Sequence, residues 1–359
     1  MTLVIRDGVA LAPLTTLELG GPARHFVEAD DDAAVVEALR WAEARGLPVA
    51  ILGGGSNLVV ADAGFDGLVV RIGSRGRRFE PAGGEVVVTA AAGEPWDALV
   101  AEAVGRDLGG LECLSGIPGL VGATPIQNVG AYGQEVADTI RAVRVVERGS
   151  WQIRELPPAA CGFGYRDSAF KRDPGRFVVL AVSFGLRPGA PPALRYRELC
   201  DSLAGNARPT LAETRATVLA LRGKKSMLVT AGDPNRRSVG SFFTNPIVAA
   251  DQADALAGGA PSMPRWPAAD GRVKLSAGWL IEQSGVRKGS RRGAVGISSA
   301  HALALVHHGG GSTAALLALA HEVAGAVHAR FGVTLVPEPT FLGLSWDAGR
   351  APAETGSRG

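Results

Sequence analysis

Pro48-Val49-Ala50-Ile51-Leu52-Gly53-Gly54-Gly55-Ser56-Asn57-Leu58 reads as a buried strand that runs directly into three glycines. Without side chains, consecutive glycines let backbone N–H groups converge on an anion, and Ser56 and Asn57 add hydroxyl and amide donors. A phosphate-bearing ligand suits such a loop. It is not a Walker A loop, because the lysine followed by Ser or Thr is missing, and it lacks the G-x-G-x-x-G spacing. Alone, it fits either a ligand cradle or a tight structural turn. Upstream, Ala23 to Ala29 reads as a short strand, and Asp31 to Gly46 as a helix with Val35, Val36, Leu39 and Ala42 on its apolar face. Strand, helix and strand make a βαβ unit.

Downstream, Leu68 to Ile72, Glu85 to Ala90, Val143 to Val146 and Phe177 to Val182 read as strands, with a helix from Pro95 to Val104 between the second and third. The class is α+β. A second glycine-rich stretch, Gly109 to Gly133, alternates glycine and proline with small apolar residues over 25 positions. It is too broken for a helix and too apolar for a disordered linker. Its backbone polar groups need partners, which an extended cofactor or a buried structural loop would supply.

Other stretches carry chemistry-bearing residues. Gly240-Ser241-Phe242-Phe243-Thr244-Asn245-Pro246 sets one hydroxyl between a flexible residue and two aromatics: a buried proton donor, or simply a strand end with a packed aromatic pair. Tyr165-Arg166 puts a permanently charged guanidinium beside an aromatic, suited to a carboxylate or enolate, or to a surface salt bridge. Tyr196 lies in Leu194-Arg195-Tyr196-Arg197-Glu198-Leu199, where a packed tyrosine is an equal reading. The helix Leu211 to Leu221, with Thr210 as cap and Glu213 completing a capping box, runs into Lys224-Lys225, ordinarily a solvated pair. Glu338 stands between Pro337 and Pro339, after a strand expected over Val333 to Val336; it is a rigidly held acid or a turn residue. The helix Thr313 to Phe331 reads as scaffold, with His321 and His328 as surface or cap residues.

Composition narrows the class. Lys and Arg number 37 against 35 Asp and Glu, interleaved to a net charge of +2, so no field for a nucleic-acid backbone is implied. Cys113, Cys161 and Cys200 are scattered, which argues against a disulfide framework or a zinc site and suits a reducing cytosol. The N-terminus lacks the order of a signal peptide, and no run of about 18 uncharged apolar residues suggests a membrane helix. A soluble cytoplasmic protein is expected.

G-G-G-S-N-L after a strand, followed by G-I-P-G-L-V-G-A-T-P-I-Q-N-V-G-A-Y-G, resembles the UDP-N-acetylenolpyruvoylglucosamine reductase (UDP-N-acetylmuramate dehydrogenase) family. Y-R-D-S-A-F-K, G-S-F-F-T-N-P, A-G-W-L-I-E and P-E-P match further motifs of that family. The resemblance implies an FAD-binding fold of the vanillyl-alcohol oxidase (PCMH) type in two subdomains, over 1–75 and 76–190. A C-terminal α+β substrate-binding domain would cover 191–346, and 347–359 would be a disordered tail. It implies bound FAD, with NADPH as co-substrate, and reduction of UDP-N-acetylglucosamine enolpyruvate to UDP-N-acetylmuramate for peptidoglycan synthesis. Ser241, Arg166 and Glu338 would be catalytic. Cofactor contacts would come from Gly53, Gly54, Gly55, Ser56, Asn57, Leu58, Ser115, Gly116, Ile117, Pro118, Gly119, Gly122, Ala123, Gln127, Asn128, Gly130, Ala131, Tyr132 and Gly133. Tyr165, Tyr196, Lys225, Asn245, Lys288 and His301 would meet substrate, with Lys224 an alternative to Lys225 and His301 standing where some relatives have glutamine. A monomer without metal, nucleic acid or membrane partner is expected. Two other readings stay open: an FAD-dependent oxidase of a small alcohol or sugar, and a non-catalytic nucleotide-binding protein.

Overall fold

Leu68, Val69 and Val70 are all fully buried, as in a strand covered on both faces. They belong to β5 (Phe65–Ile72), which lies in a four-stranded sheet of order β1 (Arg6–Ala10), β2 (Pro22–Ala29), β5, β3 (Val49–Leu52). β3 and β5 run parallel, with Val49 opposite Leu68. Between β2 and β3, α1 (Asp32–Glu43) buries Val35, Ala38, Leu39 and Ala42 at helical spacing, and its Asp31 cap accepts the Ala34 N–H at 2.7 Å. The expected strand–helix–strand unit forms, with β5 inserted between its two strands.

The computed structural model describes residues 3–349 in two compact units. One comprises Met1–Val9, Ala23–Gly55 and Asp66–Leu228, the other Ala10–Pro22, Ser56–Phe65 and Val229–Gly359. The first unit holds the sheet above and a second, six-stranded one. Its main path runs Ile153–Leu156, Ile140–Glu147, Phe177–Pro188, β7 (Glu85–Ala91), β6 (Arg77–Ala82), all antiparallel. α2 (Trp96–Gly105) buries Trp96, Leu99, Val100 and Ala103 in the core shared with both sheets. The helix Leu211–Lys224 begins with the capping box expected from Thr210 and Glu213.

In the second unit, β4 (Leu58–Val60) pairs in parallel with Thr340–Leu342, Leu58 facing Thr340. Its core gathers Phe242, Phe243, Leu280, Ile281, Leu316, Ala320 and Val323 around the helix Thr313–Phe331. Residues 333–336, expected as a strand, form no ladder. Val336 C=O accepts the Thr244 N–H at 3.0 Å beside a lone bridge between Phe243 and Pro337. His328 is exposed, as expected, and His321 is half-buried, stacked on Trp346 at 3.9 Å. Trp346–Gly349 closes in a short 3₁₀ turn. The rest of the expected tail, 350–359, lies outside the described residues.

Candidate active site

In the first unit the two glycine loops meet backbone to backbone. A Cβ on Gly54 would lie 2.9 Å from Gly119 Cα, and one on Gly122 would lie 2.6 Å from the Ala92 side chain, so neither position has room for a side chain. Gly119 C=O accepts the Trp96 N–H at 3.1 Å, and the Val121 and Gly122 N–H groups donate to Glu94 and Ala92 carbonyls at 2.9 Å each. The second loop is therefore pinned along the turn leading into α2. Gly116 N–H donates to Asp97 Oδ1 at 2.6 Å, and Arg215 grips the same carboxylate with two bonds of 2.6 and 2.8 Å. Burial would raise the Asp97 pKa, but Arg215 and the Gly116 N–H outweigh it and hold the carboxyl below its ordinary value. Ser115 is fully buried and its hydroxyl closes the turn by donating to Glu112 C=O at 2.6 Å.

The Tyr165–Lys171 segment lies against the end of that loop. Arg166, at φ 50°, donates from Nη1 to Asn128 C=O at 3.3 Å and from Nη2 to Gly130 C=O at 2.6 Å. Its guanidinium also stands over the Tyr165 ring at 5.6 Å. Lys171 Nζ donates to Gln127 Oε1 at 3.2 Å and to Arg166 C=O at 2.9 Å, and Ser168 Oγ to Ile126 C=O at 2.7 Å. Asn128, buried at φ 38°, donates to Glu135 and to Gly164 C=O at 2.8 Å each. Arg166 thus shares one hydrogen-bonded group with Gln127, Asn128 and Gly130.

Tyr132, Tyr196 and Lys225 also come together in this unit. The two phenol rings meet edge to face at 5.5 Å, and Lys225 Nζ lies 5.9 Å from the Tyr132 ring centroid. Lys225, at the C-cap of Leu211–Lys224, pairs with Glu198 at 2.5 Å, while Lys224 is exposed. Burial pushes the Tyr132 phenol up to about 12, Arg222 opposing and Glu198 adding to the shift. Burial, then Glu198, raises Tyr196 as well.

The second unit holds Ser241 and Glu338. Ser241 bridges Ala304; Phe242 N–H donates to Leu303 C=O at 2.8 Å; and Glu338 N–H donates to Phe242 C=O at 2.9 Å. The segments 303–304, 241–244 and 336–338 thus lie side by side, with Ser241 and Glu338 one residue out of register. Phe242 and Phe243 are fully buried, each burial contributing about 1.5–3 kcal/mol. Ser241 itself is half-buried. From the first glycine loop, Asn57 Nδ2 donates to Glu338 C=O at 3.4 Å, and Thr340 N–H donates to Asn57 C=O at 3.0 Å. One end of the expected cofactor loop therefore borders Glu338.

Asn245 Oδ1 accepts the Ala277 N–H at 2.9 Å, tying the serine motif to the helix Ala277–Gln283. Lys288 pairs with Glu282 at 2.9 Å. His301 Nδ1 accepts the Leu303 N–H at 3.1 Å, which in a neutral ring leaves the proton on Nε2. Among the described residues no group of three or more His, Cys, Asp and Glu could hold a metal ion, and no helix is long and apolar enough to cross a membrane. Asp97, Arg215, Glu198 and Trp346 escaped the reading of the sequence. Asp97 and Arg215, 118 residues apart, carry no local pattern.

Known proteins resemble this chain along most of its length. Residues 23–152 match the FAD binding domain model, and residues 233–342 the model of the UDP-N-acetylenolpyruvoylglucosamine reductase C-terminal domain. The UDP-N-acetylenolpyruvoylglucosamine reductase of Saccharopolyspora erythraea is 50% identical over 93% of this chain and 95% of its own length. That of Thermobifida fusca is 47% identical over 96% of this chain and 100% of its own. The crystal structure of UDP-N-acetylenolpyruvylglucosamine reductase from Thermus caldophilus superposes with a TM-score of 0.66 at 27% identity, covering 95% of this chain and all of that one. Near-full-length identity of this order, on a fold with the same two parts, means that the chain belongs to the UDP-N-acetylenolpyruvoylglucosamine reductase family.

Proposed function

We propose that the protein catalyses the NADPH-dependent, FAD-mediated reduction of UDP-N-acetylglucosamine enolpyruvate to UDP-N-acetylmuramate, a step of peptidoglycan precursor synthesis. The observation that carries this reading is the pairing of the Glu338 and Phe242 main chains, which sets Glu338 across from the serine motif, with Asn57 bonded to the Glu338 carbonyl. The glycine loops suit FAD: Gly119 packs against Gly54 and Ala92 against Gly122 with no room for a side chain, which keeps the two loops compact and glycine-lined, as a pyrophosphate cradle requires. Gly53 to Leu58 and the stretch from Ser115 to Gly133 would hold it.

FAD, when bound, would supply the hydride for C3 of the enolpyruvyl group, with NADPH as the source of its electrons, since no side chain can provide one. Negative charge then develops at C2 and its carboxylate. Arg166 neutralises that charge with its guanidinium, and Glu338 stabilises it through a hydrogen bond or as an acid. Ser241 donates the proton to C2. A hydroxyl is a weak acid, so the donation requires a strongly basic carbon and little water, and the buried Phe242 and Phe243 serve that need. Lys225, Tyr196, Asn245, Lys288 and His301 bind the nucleotide part, with Lys225 on its phosphate and Tyr165 beside Arg166. We place the enzyme in the cytoplasm as a monomer; its three free cysteines suit a reducing compartment.

The test is anaerobic. NADPH should bleach the bound yellow flavin, and only the enolpyruvyl nucleotide should restore its colour. A flavin that stays bleached after the nucleotide is added would defeat the proposed substrate. Light scattering of the pure protein checks the monomer.

A further inference from the structure

The match to the C-terminal domain model ends at Leu342, yet four residues later Trp346 returns to the serine motif. Its ring lies 6.2 Å from Phe242 and 6.0 Å from Phe243, 6.2 Å from Phe341, and stacks on His321 at 3.9 Å with a 27° angle. Phe242 and Phe243 also meet each other edge to face at 5.2 Å. The main chain of Phe242 is what joins Ser241 to its neighbours, since its N–H is held by Leu303 and its C=O holds the Glu338 N–H. The rings that Trp346 backs therefore belong to the residues that fix Ser241 and Glu338 in register.

We propose that Trp346 is a positioning residue: from a segment beyond the matched domain it braces the Phe242–Phe243 pair and so holds Ser241 and Glu338 at the spacing needed for proton delivery. The inference rests on the reading of Ser241 as the proton donor. Removing the indole takes packing contacts from both rings, and packed rings shift to fill such a gap. Proton transfer is sensitive to that shift, because a displacement of about 1 Å can cost about 10²-fold in rate. On the same reading, reduction of bound FAD by NADPH would not need Ser241.

The experiment compares Trp346→Ala and Trp346→Phe with the parent, as FAD-loaded protein. Stopped-flow under anaerobic conditions reads bleaching by NADPH and reoxidation by the enolpyruvyl nucleotide separately; amide hydrogen exchange reads the peptides around Phe242 and Glu338. Trp346→Ala should bleach within about twofold of the parent, reoxidise about tenfold or more slowly, and lose exchange protection in both peptides. Trp346→Phe, which keeps a ring in place, should recover most of both. Unchanged protection in Trp346→Ala overturns the proposal, as does equal slowing of the two half-reactions, which would mark Trp346 as a general stability residue. A parent that the nucleotide cannot reoxidise overturns the functional reading first, and the inference with it; that failure shows in the parent alone.

Discussion

The Glu338 amide donates to the Phe242 carbonyl at 2.9 Å, so the acid and the serine motif are joined through main chain and their spacing does not depend on a flexible side chain. Phe242 is fully buried among Phe243, Trp346 and the core of its unit. Truncating it opens a cavity at the residue that carries the pairing. Phe242→Ala should lower unfolding free energy by about 3–5 kcal/mol, measured by urea titration, while Phe242→Leu should cost much less. An alanine variant as stable as the parent would mean that the ring does not anchor this region.

Asp97 holds the second glycine loop through the Gly116 N–H and is itself held by Arg215. Its folded pKa lies below the ordinary carboxylate value, so its contribution is present above about pH 4 and is lost as pH falls through the folded value. Asp97→Asn should weaken FAD retention on gel filtration at pH 7. The gap in urea midpoint between parent and variant should shrink as pH drops from 7 toward 3. A constant gap across that range would show that the charge of Asp97 is not what matters.

Gly54 has no room for a methyl group, because the nearest atom is the Gly119 backbone, which cannot rotate away. Gly54→Ala should fold, with a stability loss of about 0.5–3 kcal/mol, but should purify with markedly less FAD. Flavin absorbance per protein gives the answer. Full occupancy in that variant would exclude this stretch as a cradle.

The sequence was most legible where local chemistry decides local structure. The Asp31 and Thr210 caps, the apolar face of α1 and the glycine loops all follow from neighbouring residues, and each appears in the structure. Long-range register was hidden. The insertion of β5 between β2 and β3, and the pairing of Leu58 with Thr340, bind segments with no shared pattern. That second pairing draws residues 56–65 into the unit that carries Ser241. Val333 to Val336 has the β-branched composition of a strand, but its neighbours offer a lone bridge beside it and two bonds from Thr244 to the Val336 carbonyl in place of a ladder. The stacking of His321 was hidden because its partner, Trp346, stands at the last position before a stretch whose composition suggests a tail.

The central claim is that Ser241 supplies the proton to the substrate carbon and has no part in flavin reduction. Pre-reduced Ser241→Ala enzyme, mixed with the enolpyruvyl nucleotide in an anaerobic stopped-flow cell, measures this most directly. The account predicts bleaching by NADPH at nearly the parent rate and reoxidation by the nucleotide slowed by about 10²-fold or more. Equal slowing of both half-reactions, or parent-like reoxidation, would contradict it.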